Sequence, residues 1–218
     1  MRKLIPTLIA ATIGLGSISS TQAVMITVNA AGVYNSTVPG ASILDFTGAP
    51  SCGGYASCSG DFSVVSGSSG GQYAAPAMPG QGDGGEFLTV PDALNSGSAT
   101  FGFGTTANYF GMFWGSIDDY NTIEFLLGAD VIESVKGTRL QTEDPDILVV
   151  GNQTSVDDNR FVEFFFGSQL IDGIRLISTQ NAFETDNHAF AKIPEPGTLA
   201  LLGLGLAGLG IARRRKAG

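Results

Sequence analysis

His188 is the only histidine in the sequence, and it directly follows Asp186-Asn187. A Ser-His-Asp triad would have to use it, yet the one literal G-x-S-x-G match, Gly67-Ser68-Ser69-Gly70-Gly71, lies in a Gly/Ser-rich stretch rather than at a strand-to-helix elbow. His188 therefore reads as an exposed or locally hydrogen-bonded imidazole. A histidine-based zinc site is excluded by count. Paired carboxylates about 5–10 Å apart could hydrolyse a glycosidic bond, but among 20 acidic residues such pairs arise freely and none stands out. No catalytic residue is assigned, and the chain is expected not to be an enzyme; the alternative is a secreted glycoside-active enzyme.

Oxygen donors come in short runs: Asp118-Asp119-Tyr120-Asn121, Asp144-Pro145-Asp146, Asp157-Asp158-Asn159 and Glu184-Thr185-Asp186-Asn187. Ca2+ takes about 6 to 8 oxygens, often from loops. Turn capping by Asp and Asn explains the same residues without an ion, and no EF-hand spacing is present. Aromatic residues cluster at Tyr109, Phe113, Trp114 and Tyr120. Trp114 and Tyr120 are the candidates for stacking on a sugar ring. Alternation along a strand sends Phe113 and Trp114 to opposite faces, and core packing competes for both. Cys52 and Cys58 bracket CGGYASC. In an exported chain that spacing reads as a small disulfide loop rather than a C-x-x-C redox pair.

The elements that must position these residues are strands. Gly supplies 31 of 218 residues, about twice ordinary usage. Strands are expected at 25–28, 42–46, 61–65, 86–90, 99–103, 109–113, 122–127, 131–136, 147–151, 160–166, 173–178 and 189–192. Their spacing predicts an all-β sandwich or jelly roll. In GIRLIS, Ile174, Leu176 and Ser178 alternate with Arg175 and Ile177, and in NTIEFLLG, Ile123 and Phe125 alternate with Glu124 and Leu126. One face of each is apolar, and Leu126 and Ile177 imply that the second is partly covered. Residues 66–85, rich in Gly, Ser and Pro, read as a surface loop.

The ends differ from the centre. Six of the 11 Lys and Arg are Arg2, Lys3, Arg213, Arg214, Arg215 and Lys216, leaving 5 between them against all 20 Asp and Glu. So acidic a centre excludes nucleic acid as a partner. Residues 1–23 combine a basic start, an apolar run and Thr21-Gln22-Ala23, the pattern of a signal peptide cut by signal peptidase after Ala23. Residues 197–212 carry no charge and would form a transmembrane helix about 24 Å long. Arg213, Arg214, Arg215 and Lys216 then stop it at the cytoplasmic side. Gly203-Leu204-Gly205-Leu206-Ala207-Gly208 matches G-x-G-x-x-G inside this run, without the following βαβ context that dinucleotide binding needs.

Pro194-Glu195-Pro196, the apolar run and the basic cluster, in that order, closely resemble the PEP-CTERM sorting tail recognised by exosortases. The resemblance implies a Gram-negative or cyanobacterial-type envelope and exosortase cleavage near the tripeptide. The membrane helix then serves only until the protein is released or attached at the surface, much as a GPI tail does. Three units follow: a signal peptide (1–23), a β-sandwich ectodomain (24–192) and the sorting tail (193–218).

YFGMFWGSIDDYNTIEF, with Ala182-Phe183-Glu184-Thr185-Asp186-Asn187 and Gln72-Tyr73-Ala74-Ala75-Pro76, resembles a motif set of exosortase-dependent surface proteins. That resemblance implies a β-sandwich and carries over no catalytic residue. Its two acidic motifs supply the candidate Ca2+ ligands: Glu184 or Asp186 with Asp118 or Asp119. No other cofactor is implied. The expected role is structural or adhesive, at the cell surface or in an extracellular matrix such as a biofilm, with extracellular polysaccharide as the candidate ligand. A Ca2+-dependent adhesion module is a further alternative.

Overall fold

A computed structural model describes residues 23–49, 51–78, 85–92 and 95–194. Twelve strands and one short helix occupy them: β1 (Met25–Val28), β2 (Ser42–Leu44), β3 (Ser57–Gly60), β4 (Ser63–Ser66), β5 (Glu86–Val90), β6 (Gly97–Ala107), β7 (Tyr109–Gly115), β8 (Asn121–Leu127), β9 (Asp130–Lys136), α1 (Gly137–Glu143), β10 (Arg160–Phe165), β11 (Ile171–Ser178) and β12 (Phe183–Ala191). One sheet runs β1-β10-β7-β12-β5-β4, with β2 also paired to β12; the other runs β3-β6-β11-β8-β9. Every pairing is antiparallel. This is the expected all-β sandwich.

Alternation builds the space between the sheets. β11 buries Ile174 and Leu176 and leaves Arg175 and Ile177 half-buried. Arg175 pairs across the ladder with Glu124 of β8. From the other sheet, Phe110, Met112, Trp114, Phe164, Phe183 and Phe190 enter the same cluster. Burying such rings supplies most of the driving force for folding.

β7 and β12 break the half-buried pattern, because every residue of both is buried. Their outer face carries a second cluster of Tyr109, Ala189 and Ala191, covered by Val38, Ala41, Phe165 and Ile193. The Tyr34 ring lies 5.6 Å from that of Phe113. Phe113 and Trp114 thus face opposite ways, as alternation requires, yet both are enclosed.

Several strand expectations need correction. Residues 147–151 are not a strand: Asp158 Oδ1 accepts the N–H groups of Leu148 and Val149, each at 3.1 Å, and Oδ2 accepts that of Asn152 at 3.1 Å. A side chain has taken the donors a ladder would need. β12 begins at Phe183 rather than 189 and absorbs a register shift between Asp186 and Ala189, where Asn187 has φ 49°. β3 and α1 had no counterpart in the sequence reading. Part of the expected 66–85 loop is a cover rather than a surface excursion, since Ala74 is buried. Cys52 and Cys58 are disulfide-bonded and both pack on the core. A loop this short contributes about 2 kcal/mol.

The expected signal helix, transmembrane helix and basic cluster Arg213, Arg214, Arg215 and Lys216, together with Glu195 and Pro196, lie outside the described residues. Among the described residues no helix is long and apolar enough to cross a membrane.

Candidate functional site

Strand pairing carries the three motif segments into one constellation. β12 lies between β7 and β5, which places Glu184 opposite Gly115 and Thr185 opposite Trp114. The Trp114 and Phe183 rings sit 4.6 Å apart. Asn121 Nδ2 donates to Asp118 Oδ2 and to the Ala182 carbonyl, each at 2.9 Å. The Ala74 N–H donates to Glu184 Oε1 at 2.8 Å. Pro76 lies so close to Gly115 that a Cβ there would come within 2.9 Å of it. A Cβ on Gly137 would meet the Asp118 carbonyl oxygen at 1.9 Å, so only glycine admits that approach. Most motif residues are therefore engaged in holding one another.

The structure redistributes the candidate site residues. Trp114 is 0% exposed within the inter-sheet core. Neither face of its ring is available to a sugar, and the stacking role expected of it is corrected to core packing. Tyr120 is half-buried, and its hydroxyl donates to the Asn181 carbonyl at 3.3 Å. The four candidate Ca2+ carboxylates do not converge. Among the described residues no three Asp, Glu, His or Cys side chains form a metal-holding group. Asp119 is exposed. Asp118 is buried, and its two oxygens accept three bonds, from the Tyr120 and Asn121 N–H groups and from Asn121 Nδ2. Glu184 is near enough to feel the Asp118 charge, whereas Asp186 feels Asp45 instead.

Burial dominates the electrostatics. It pushes the Asp118 carboxyl up to about 7, partly offset by the Tyr120 and Asn121 donors. It pushes Glu184 up to about 8, with the Ala74 N–H opposing and Asp118 adding, and Asp186 up to about 7, with the Asn187 N–H opposing and Asp45 adding. Removing an ionised carboxylate from water favours its neutral form. His188 obeys the same rule in reverse. Fully enclosed, it accepts or donates through Nδ1 to the Tyr55 hydroxyl at 2.5 Å, and burial holds it down at about 3. The rings of Phe46, Tyr55 and Phe110 surround it within 5.9 Å between centroids. An imidazole so enclosed is a packing element.

A cavity of about 310 Å³ opens over the outer face of β12. Asp45, Asp186, Asn35, Asn187 and Thr47 give it polar walls, and Pro76 and Phe87 contribute apolar surface. Asn187 Nδ2 donates to the Tyr34 carbonyl at 3.0 Å, which ties the covering segment to the strand. Of these residues the sequence singled out Asp186, Asn187 and Pro76, the first two in an acidic run and the third in a motif. Asn35, Asp45 and Thr47 lie in no motif, and only the pairing of β2 with β12 brings them there.

Asn108 is another engaged polar residue without a sequence signal. Its Nδ2 donates to the Gly167 carbonyl at 2.7 Å and to the Ile193 carbonyl at 2.9 Å, and its Oδ1 accepts the Ile193 N–H at 2.6 Å. One amide side chain thereby holds both backbone groups of Ile193, two residues after β12 ends and directly before Pro194.

Residues 192–216 match the model of the PEP-CTERM protein-sorting motif. The chain therefore carries a PEP-CTERM sorting motif, and that motif indicates exosortase-dependent export to the cell surface. No curated protein is significantly similar in sequence. CsCBM6-3 from Clostridium stercorarium, solved in complex with cellobiose, is similar at 20% identity and a TM-score of 0.35, over 64% of this chain and 88% of that one. CpGH89CBM32-6, produced by Clostridium perfringens, is similar at 12% identity and a TM-score of 0.30, over 62% of this chain and 94% of that one.

Proposed function

We propose that this chain, as the bearer of an exosortase sorting tail, is a processed cell-surface or extracellular-matrix protein. Its sandwich is a structural or adhesive, non-catalytic module that binds polysaccharide in the cavity over β12. The observation that carries the reading is the order of parts at the chain's end. β12 is the last strand among the described residues, Asn108 fixes Ile193, and the match to the sorting motif begins at residue 192. All twelve strands of the described residues precede Pro194. Cleavage near the tripeptide would release the tail and leave the sandwich whole.

The polysaccharide part rests on the chemistry of the cavity. Carboxylates and amides suit sugar hydroxyls, and an apolar surface suits the C–H face of a ring. The non-catalytic part rests on the acids and the imidazole being engaged: Asp118 already accepts three bonds and His188 is enclosed.

The test begins with the full chain in a host with and without an exosortase, beside a variant with Pro194→Ala, Glu195→Ala and Pro196→Ala. Intact mass of the surface-exposed protein should show loss of the tail only for the wild type with the enzyme present. Equal masses in all arms would refute exosortase processing. The exported chain is then applied to a polysaccharide array. Asp45→Asn and Asp186→Asn should each weaken binding about ten-fold, the worth of a hydrogen bond to a charged group. Binding that ignores both substitutions, or no binding by the wild type, would remove the cavity from the reading.

A further inference from the structure

Asn108 fixes the point at which the chain leaves the sandwich. It sits in the bend between β6 and β7, and each of its polar atoms is bonded. Its N–H donates to the Ala191 carbonyl at 3.0 Å, and its carbonyl accepts the Phe166 N–H at 2.9 Å. Its side chain holds both backbone groups of Ile193 and the Gly167 carbonyl. Ile193 also packs on the cluster of Tyr109, Ala189 and Ala191. Asn108 thereby locks Ile193 to the turn that joins β10 to β11. Between that turn and residues 192–194 lies a cavity of about 480 Å³, with Leu170, Ile193 and Pro194 among its walls.

Strand register makes this the membrane-facing end of the sandwich. Met25, Phe165, Tyr109 and Ala191 form one row across β1, β10, β7 and β12. The start of β1 and the end of β12 therefore lie at the same end, about 14 Å apart at three strand spacings. Both segments that the sequence expects to enter the membrane continue from there. Only Pro194, Glu195 and Pro196 separate Ile193 from the uncharged run that starts at Gly197. Three residues span at most about 11 Å. We propose that the surface around this cavity is where the exosortase docks on its folded substrate. The inference rests on the reading of the tail as an exosortase substrate. An enzyme that cuts within the tripeptide works within about 11 Å of Ile193, so its body meets the rim of the cavity. Asn108 holds both walls in place before the enzyme arrives, so little ordering is lost on docking. The partner is a membrane-embedded protein that offers an apolar side chain to Leu170, Ile193 and Pro194.

The full chain is pulse-labelled in a host with an exosortase, and the half-time of tail loss is measured. Ser168 is exposed on the cavity wall. Ser168→Arg fills that wall and should lengthen the half-time at least about five-fold. Val150→Arg is the control: Val150 is exposed, and its neighbour Gly151 bonds Ile117, beyond the opposite end of β7. It should be processed as fast as the wild type. A flexible Gly/Ser insert of about six residues between Ile193 and Pro194 moves the tripeptide about 13 Å from the sandwich. The insert should slow the otherwise wild-type chain, and Ser168→Arg should then add no further delay. Tail loss from Ser168→Arg at the wild-type rate overturns the docking surface, as does equal slowing by Val150→Arg. An insert that speeds tail loss or leaves it unchanged also overturns it, because the sandwich would then be an obstacle or a bystander. If Ser168→Arg does not fold, the insert decides alone, since it leaves the sandwich sequence intact. Tail loss from the wild type that does not require the enzyme refutes the exosortase reading itself, and the docking surface with it.

Discussion

Trp114→Ala is expected to cost the fold about 3–5 kcal/mol, the range for deleting a large aromatic side chain from a core. The ring is fully buried between the sheets and packs 4.6 Å from Phe183. Neighbouring β-strands are hydrogen-bonded on both sides of β7, so they cannot collapse freely into the space left behind. One feature moderates the loss: Trp114 Nε1 is buried without a hydrogen-bond partner, and removing it relieves about 1 kcal/mol. Against a typical net stability of about 5–15 kcal/mol the effect is large. Urea denaturation of wild type and variant measures it. Any polysaccharide affinity should be unchanged per folded molecule. A cost below about 1 kcal/mol would mean that the ring is not a core element.

That result would separate two roles the sequence could not. Alternation along YFGMFWG sends Phe113 and Trp114 to opposite faces, and so they point. What alternation does not reveal is that both faces are covered. The Trp114 face meets the other sheet, and the Phe113 face is covered by Tyr34 and, at Glu184, by Ala74, which belongs to a stretch that reads as loop by composition. The same gap explains β12. Phe183 to Asn187 contains Glu, Asp and Asn, a poor strand by propensity. It is nonetheless a central strand, because its neighbours bond it on both edges and the covering segments answer most of its polar groups.

β1 and β5 were legible from end to end: β1 alternates between exposed and buried positions, and β5 is a short apolar run that is buried from Phe87 to Val90. The apolar run at 147–151 misled because Asp158 takes the N–H groups of Leu148 and Val149, ten and nine residues before it, and no local pattern announces a distant cap. The sorting tail was legible for the opposite reason: it is a linear signal, read in sequence order by its processing enzyme. The cavities were not legible, since Asn35, Asp45, Pro76 and Asp186 meet only through sheet pairing.

His188 gives the fold a sensitivity to acid that can be measured by difference. Burial holds its folded value at about 3, against 6.5 when unfolded. Above pH 6.5 both states are neutral and the contribution of the enclosed imidazole is complete. As pH falls from 6.5 toward 3, the unfolded chain takes a proton that the folded chain refuses, and stability drops. At pH 4 the loss amounts to about 3 kcal/mol. The raised carboxyls of Asp118, Glu184 and Asp186 act in the opposite direction, contributing stability in acid that fades as pH rises through about 7 to 8. A single stability profile would mix the two, so the comparison is wild type against His188→Leu, in which the carboxyl contributions cancel. At pH 7 the variant should be the less stable, because the Tyr55 hydroxyl loses its partner. Between pH 7 and pH 4 the gap should narrow by about 3 kcal/mol, since only the wild type carries an imidazole to protonate. Denaturant titrations at the two pH values read this directly. Parallel profiles would show that water reaches His188, and that the ring enclosure formed by Phe46, Tyr55 and Phe110 opens in solution.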